Sequence, residues 1–335
     1  MGDVMKAVDI RGGKGPATSL FINSQTPKPE PEEGQALVRV RAFGLNRMDL
    51  IQREGRYPMP PQAPSTLGVE FSGTIESFGP GSHGDFRVGD AVFGLAYGGA
   101  YAEYIVVNSR MLLRKPDGLT WETAAGIPEV WITATQALHL VGDFAPGKTV
   151  LWHAGASGVS IAGIQLSRES GASAIYATAG TDEKCRFIER ELGVTKAFNY
   201  KTQDWAKEIL DATGGRGVDL IIDFIGASYF QKNLTVAAWD ARWVMLALLG
   251  GTKLDGVDCA LLLYKRIRLE GSTLRSRDLE YQGRLRDRLA VYIPQIESGK
   301  LKVLIDTVLP MEDIVKAHQL LEENKTMGKI ICTVP

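Results

Sequence analysis

Residues 149–160, TVLWHAGASGVS, constrain the fold of this chain more than any other stretch. An apolar run (Val150, Leu151, Trp152) leads into a turn of small residues, Ala154-Gly155-Ala156-Ser157-Gly158, and a helical pattern opens at Val159. A strand that breaks into a tight turn and starts a helix aims backbone N–H groups outward at the helix N-terminus, where an anion is stabilised. The pyrophosphate of a dinucleotide is such an anion. Read as GxGxxG, the loop keeps only Gly155, with Ser157 and Ser160 in the other two glycine places. A strand-to-helix turn that binds nothing would look the same over these residues, so the surrounding pattern has to decide.

That pattern is a long alternation. Apolar runs at 149–153, 174–178, 197–200, 218–225, 242–249 and 269–274 are separated by helical periodicity over 159–171, 183–192, 206–213 and 230–237. Such alternation predicts a parallel sheet with helices on both faces. Residues 1–125 differ. Positions 36–42 alternate with period two, and 68–78 and 90–93 are further strands between turns such as Phe78-Gly79-Pro80-Gly81. After Arg275 come a long helix (279–298), a strand (307–309), a helix (311–323) and a strand (329–334). These do not extend the alternation and are expected to return to the first domain. The expected architecture is α/β, with a doubly wound Rossmann-type parallel sheet over 127–275 inserted in a mainly β domain made of 1–126 and 276–335.

A formal net charge of −1, with no long run of one sign, suggests neither a nucleic-acid nor an acidic-membrane partner. No run of ~20 apolar residues exists, so no membrane span is expected. The three cysteines are far apart and form no CxxC, which favours a reducing compartment. With neither a signal h-region nor a transit pattern at the start, a cytoplasmic protein is expected.

The end of the second strand bears on the cofactor. NAD enzymes tend to place Asp or Glu there to hold the ribose 2′-OH. Here the tip reads Thr178-Ala179-Gly180-Thr181-Asp182-Glu183-Lys184, uncharged at the strand end with a lysine one turn into the next helix. A 2′-phosphate would meet no carboxylate at the tip and could pair with Lys184, which favours NADPH. A solvated surface lysine is the other reading of Lys184, and Asp182 and Glu183 soften the local field.

Further strings recur along the chain: Leu45-Asn46-Arg47, Asp49-Leu50, Gln52-Arg53, Gly55, Tyr57, Ile127-Pro128-Glu129, His153-Ala154-Gly155, Ser157-Gly158-Val159, Phe198-Asn199-Tyr200, Leu274-Arg275-Ser276-Arg277-Asp278 and Gly328-Lys329-Ile330. By these strings the chain resembles the medium-chain dehydrogenase/reductase superfamily over essentially its whole length. Within it the resemblance is to the zinc-independent quinone oxidoreductase branch, and to the tumour-suppressor-inducible quinone oxidoreductase group in particular. The zinc alcohol dehydrogenases of that superfamily carry a Cys where this chain has Asn46 and a His where it has Val69. They also carry closely spaced cysteines that are missing here, so a tetrahedral zinc has too few ligands. The four histidines, His83, His139, His153 and His318, show no ligand spacing and read as surface or packing residues. Ser160 stands where that group usually has glycine, and is expected to tighten the helix against the first strand.

The resemblance implies a GroES-like first domain and an NADPH site. Tyr57 and Thr133 would lie near the nicotinamide, and Ser157, Gly158 and Val159 along the pyrophosphate. Gly180, Thr181, Lys184 and Tyr200 would surround the adenosine phosphate, with Phe224, Ile225, Leu248, Leu274 and Thr326 along the rest of the groove. On their own, Tyr57 reads as a turn tyrosine and Thr133 as an N-terminal helix residue. The implied activity is reduction of small quinones without metal, Asn46 and Tyr57 hydrogen-bonding the developing oxyanion and water serving as final proton source. NADPH-dependent reduction of activated C=C bonds in enones or alkenals is the alternative, and a non-catalytic binder is a third reading. Residues near 95–99 and Trp131 would take a flat ligand. The run at 269–274 looks like an exposed sheet edge, and a homodimer through it is expected.

Overall fold

The computed structural model describes residues 2–81 and 83–335 and divides into two compact units, Met1–Ile132 with Arg275–Pro335, and Thr133–Leu274. The inserted unit therefore runs 133–274, against the 127–275 expected from the sequence.

The first unit starts with β1 (Val4–Ile10), β2 (Leu20–Pro27), β3 (Gln35–Gly44), α1 (Arg47–Arg53), β4 (Glu70–Phe78), β5 (Ala91–Leu95), β6 (Tyr104–Asn108), β7 (Leu112–Arg114) and α2 (Trp121–Ala125). Helix α3 (Pro128–Thr135) runs through the boundary between the units. β3 carries the period-two pattern: Val38, Val40 and Ala42 are buried, while Arg39 between them is exposed. It is the hub of its sheet, pairing antiparallel with both β4 and β6.

The second unit has strands β8 (Thr149–Trp152), β9 (Ala174–Ala179), β10 (Lys196–Asn199), β11 (Val218–Asp223), β12 (Ala237–Met245) and β13 (Arg268–Gly271). Its helices are α4 (Gly158–Glu169), α5 (Asp182–Phe187), α6 (Trp205–Ala212), α7 (Phe230–Val236) and α8 (Ala260–Tyr264). The six strands are parallel in the order β10-β9-β8-β11-β12-β13. The order reverses between β8 and β11, the switch point at which doubly wound sheets bind nucleotides. Two runs end three or more residues short of their expected extents. β12 ends at Met245, and residues 246–249 leave the sheet to fold over the end of β11: the Leu246 N–H donates to Asp223 O and the Leu249 N–H to Phe224 O. Leu248 and Leu249 are exposed, so their apolar character had imitated a strand continuation. β13 ends at Gly271 rather than 274.

Helix α4 lies close on β8 because Gly163 leaves room for the Trp152 indole. A Cβ at position 163 would come 2.0 Å from that ring. The ring cannot yield: Trp152 is fully buried and its Nε1–H donates to Ser167 Oγ at 3.0 Å. In an open helix Gly→Ala gains roughly 0.5–1 kcal/mol. Here Gly163→Ala is expected to destabilise the protein by about 1–3 kcal/mol through overpacking. Urea unfolding checks this, and a variant as stable as the wild type would refute the packing.

The chain then returns to the first unit with α9 (Leu279–Glu297), β14 (Ile305–Pro310), α10 (Ile314–Glu322) and β15 (Lys329–Thr333). β15 pairs with β14 and, antiparallel, with β3, which completes a seven-stranded sheet. Among the described residues no helix is long and apolar enough to cross a membrane.

Candidate active site

In the second unit the β8–α4 turn is built around Gly155. Its N–H donates to Thr178 O at 2.8 Å, and a Cβ there would sit 2.9 Å from both Ala177 and Ile188. That crowding requires glycine at this place of the motif. The other two places are taken up by a different device. Ser157 caps α4, its Oγ accepting from the Ser160 N–H at 3.4 Å. Ser160 Oγ donates to His153 O at 2.8 Å, stapling the first turn of α4 to the end of β8. Ser157, Gly158 and Val159 surround the helix N-terminus and stay partly exposed, a cradle of amides that fits a pyrophosphate.

At the tip of β9, Thr181 caps α5 by accepting from the Lys184 N–H at 3.2 Å. The Asp182 carboxylate accepts from Asn199 Nδ2 at 2.6 Å. Lys184 is half-buried in the first turn of α5. The Tyr200 hydroxyl lies over Gly180, where a Cβ would come within 2.8 Å of it. Phe224, Ile225 and Leu248 meet through the 246–250 loop, with the Gly250 N–H donating to Ile225 O at 2.7 Å and Gly226 packed tightly against Leu248. The second unit thus gathers most of the expected cofactor residues at the C-terminal ends of its strands. Thr133 lies on α3, and Leu274 is buried beyond β13. Thr326 belongs to the first unit, just before β15.

His153 supports these turns from below. It is fully buried, with Nδ1 2.9 Å from Thr178 Oγ1 and Nε2 2.8 Å from Asn233 Oδ1. Asn233 Nδ2 donates to Asp223, so Oδ1 is left to accept and Nε2 carries the imidazole proton. Burial pushes the ring's pKa down, keeping it neutral. Asp223 Oδ1 in turn accepts from the Ile225 N–H at 2.7 Å. His318, fully buried in the first unit, has Nδ1 3.1 Å from Arg53 Nη1, and burial pushes its pKa down to about 3.

The first unit holds a buried polar cluster. Asn46 opens α1 in a capping box, its N–H donating to Asp49 Oδ2 at 2.8 Å. Lys329 Nζ donates to Leu45 O (2.7 Å) and Asn46 Oδ1 (2.8 Å) and pairs with Glu70 Oε1 (2.6 Å), which uses all three ammonium hydrogens. Asn46 Nδ2 also donates to Glu70 Oε1, at 2.9 Å. The Asn46 amide is therefore oriented by charge, oxygen toward the ammonium and nitrogen toward the carboxylate. Glu70 Oε2 accepts from the Glu129 N–H at 2.9 Å. Nearby, the Arg275 guanidinium lies 5.3 Å from the Tyr57 ring centre, donating to Tyr97 O (2.6 Å) and Gln52 Oε1 (2.8 Å). Burial, followed by the Glu129 charge, raises the pKa of the half-buried Tyr57 hydroxyl, so the phenol stays a neutral donor. Tyr101 donates to Asp49 Oδ2 at 3.0 Å.

Trp131 is packed into the core at 1% exposure, so it offers no ring face to a flat ligand. Its place on α3 decides this, and periodicity alone did not separate the buried face from an open one. Among the described residues no group of three or more His, Cys, Asp or Glu is placed to hold a metal ion. Between Asn46 and Glu70 stands the Lys329 ammonium. In the sequence Lys329, Glu129 and Arg275 stand out only as parts of matching strings, and Glu70 only as a member of the strand expected over 68–78. The available signal was a lone charge at the head of an apolar strand, Lys329 in KIICT and Glu70 in EFSG.

Two family models match the chain: the alcohol dehydrogenase GroES-like domain over residues 32–117 and the zinc-binding dehydrogenase over 192–332. The synaptic vesicle membrane protein VAT-1 homolog of Mus musculus is 31% identical over 90% of this chain and 77% of its own length. The quinone oxidoreductase of Pongo abelii is 28% identical over 98% of this chain and 97% of its own. Among solved structures, an NAD-dependent alcohol dehydrogenase superposes with a TM-score of 0.85 at 32% identity, covering 99% of this chain and 100% of that one. A mycobacterial protein complexed with NADPH gives 0.85 at 29%, covering 98% and 99%. The CurK enoyl reductase gives 0.85 at 26%, covering 99% and 100%. Matched from its GroES-like strands to its Rossmann-type sheet, the chain belongs to the medium-chain dehydrogenase/reductase superfamily.

Proposed function

We propose that this chain is an NADPH-dependent reductase of small quinones that needs no bound metal. The observation that carries the reading is the charge at the tip of β9. Gly180 and Thr181 are neutral, Asp182 is held by Asn199, and Lys184 stands in the first turn of α5. A ribose 2′-phosphate there meets an ammonium, and the Asp182 carboxylate that a 2′-OH would need already accepts from Asn199. The Gly155 turn and the capped N-terminus of α4 fit the pyrophosphate, and Tyr200, Phe224, Ile225, Leu248, Leu274, Thr133 and Thr326 complete the proposed cofactor contacts. Bound NADPH supplies the hydride. Asn46 and Tyr57 supply hydrogen bonds to the oxygen that gains charge. Asn46 spends one of its two amide hydrogens on Glu70 and keeps the other.

The quinone assignment draws on the likeness to a protein named quinone oxidoreductase. Reduction of enones is the second reading, favoured by the likeness to an enoyl reductase. All three cysteines are free thiols, in keeping with a cytoplasmic protein. The exposed edge strand β13 is the proposed seam of a homodimer.

Metal-free NADPH oxidation over ortho-quinones, para-quinones, enones and alkenals tests the activity. Turnover of quinones is expected, preference for enones selects the second reading, and stoichiometric zinc needed for turnover would refute both. Lys184→Ala tests the cofactor. NADPH binding is expected to weaken about tenfold with NADH nearly unchanged, since one charge-assisted contact at a half-exposed site is lost. Equal weakening for both cofactors would remove the assignment.

A further inference from the structure

In the second unit three neighbouring strands end at the switch point: β9 at Ala179, β8 at Trp152 and β11 at Asp223. One residue, His153, is joined to all three. Its main chain fixes the β8–α4 turn, the N–H donating to Ile222 O at 3.1 Å and the carbonyl accepting from Ser160 Oγ at 2.8 Å. The next residue, Ala154, turns at φ 49°, a left-handed conformation that a residue with a side chain keeps only where its surroundings enforce it. The imidazole carries the connection across the sheet. Nε2 holds the proton and donates to Asn233 Oδ1, so Nδ1 offers a lone pair and the Thr178 hydroxyl donates to it. Asn233 Nδ2 donates to Asp223 Oδ2 at 3.2 Å, and Trp243 Nε1 donates to the same oxygen at 3.1 Å. Asp223 Oδ1 ends the chain by accepting from the main-chain N–H groups of Ile225 (2.7 Å) and Gly226 (3.2 Å). Thr178, His153, Asn233, Asp223 and Trp243 are each at most 1% exposed, so the whole chain of hydrogen bonds is sealed from solvent. Its two ends are supported unequally. The tip of β9 is also held by pairing with β8 and β10, and by the Gly155 N–H on Thr178 O. Ile225 and Gly226 lie past the last paired residue of β11, and their N–H groups donate to the Asp223 carboxylate instead of to a strand.

We propose that His153 is a positioning residue of the cofactor groove, setting where the Ile225–Gly226 turn stands relative to the β9 tip and the β8–α4 turn, so that one dinucleotide meets all three. This rests on the proposed nucleotide site. Fully buried, His153 acts through Asn233 and Asp223 and offers a cofactor no contact of its own. Its loss therefore misaligns the groove without removing a binding group. A ligand that spans the groove suffers most, and a ligand confined to the better-supported β9 tip suffers least.

Two measurements on the full-length protein test this, each made on wild type, His153→Phe and His153→Gln. Phenylalanine keeps a ring edge-on to Trp205 and Tyr229 but loses both polar contacts. The glutamine amide can again offer an acceptor to Thr178 and a donor to Asn233. The first measurement needs no ligand: amide hydrogen exchange read by NMR. Exchange at Ile225 and Gly226 is expected to be slow in the wild type, about tenfold faster in His153→Phe, and largely slowed again in His153→Gln. Wild-type amides that exchange as fast as open loops, or equal rates in all three proteins, would overturn the proposal. The second is calorimetric titration with NADPH and with 2′,5′-ADP, which carries the adenosine and 2′-phosphate without the nicotinamide. His153→Phe is expected to weaken NADPH about tenfold and 2′,5′-ADP by no more than about twofold, with His153→Gln recovering most of the loss. Equal weakening of the two ligands, or unchanged NADPH affinity, would refute the positioning role. Should His153→Phe fail to fold, Asn233→Leu cuts the same chain one link further on, and normal NADPH affinity in that variant would overturn the proposal equally. Wild type that bound neither NADPH nor NADH would instead sink the nucleotide site itself, while the exchange rates still decide whether His153 holds the Ile225–Gly226 turn.

Discussion

Lys329→Met is expected to destabilise the protein by about 3–5 kcal/mol. Lys329 is 4% exposed and Glu70 is 0% exposed, so removing the ammonium leaves a carboxylate buried without its counter-ion. The same change orphans Leu45 O and Asn46 Oδ1, which each lose a hydrogen bond shorter than 3 Å. A surface pair would contribute only ~0–1 kcal/mol, and the distinction lies in burial. Lys329→Arg keeps the charge, but its planar fork cannot reproduce three donors converging from one nitrogen, so a partial loss is expected. Combining Lys329→Met with Glu70→Gln removes the unpaired charge and should recover part of the stability. Urea unfolding of the three variants checks this, and a Lys329→Met loss under ~1 kcal/mol would show that the pair is not held out of water.

Tyr57→Phe is expected to lower kcat for quinone reduction about 100-fold, the usual loss when one donor to a developing oxyanion is removed. The substitution keeps the ring that stacks beneath the Arg275 guanidinium, so folding stability should hardly change. Only the hydroxyl is lost. Its pKa is raised by burial, then by the Glu129 and Asp49 carboxylates, against the lowering pull of Arg275. Across the neutral range the group is therefore an O–H donor and not a phenolate base. Loss of kcat with an unchanged KM is the expected pattern, since the hydrogen bond strengthens only as charge develops. Steady-state kinetics that match the wild type in both parameters would remove Tyr57 from the chemistry.

The two predictions differ in how visible their residues were beforehand. The alternation after residue 149 is a local property of the chain. A parallel strand is apolar along its length and a helix is periodic along its own, so β8 to β11 and α4, α6 and α7 could be placed within a few residues. Where the local pattern was ambiguous, placement failed: residues 246–249 are apolar, yet they leave the sheet to close over β11, and Trp131 is a core residue. The β8–α4 turn was visible as small residues between an apolar run and a helical pattern. The role of its serines was not, because Ser160 acts on His153 O seven residues earlier, through a helix turn that had to be built first.

Sequence alone determined the class of the fold, the position of the β8–α4 turn, the neutral tip of β9 and the absence of thiolate or imidazole at positions 46 and 69. Each of these is written in neighbouring residues and needs no partner. Only the tertiary structure decided what stands beside Asn46. Lys329 reaches it from 283 positions away, because β15 pairs antiparallel with β3 and carries its one buried lysine to the start of α1. Charge pairing inside a protein depends on distance through space and on exclusion of water, and neither is encoded in the spacing of residues along a strand.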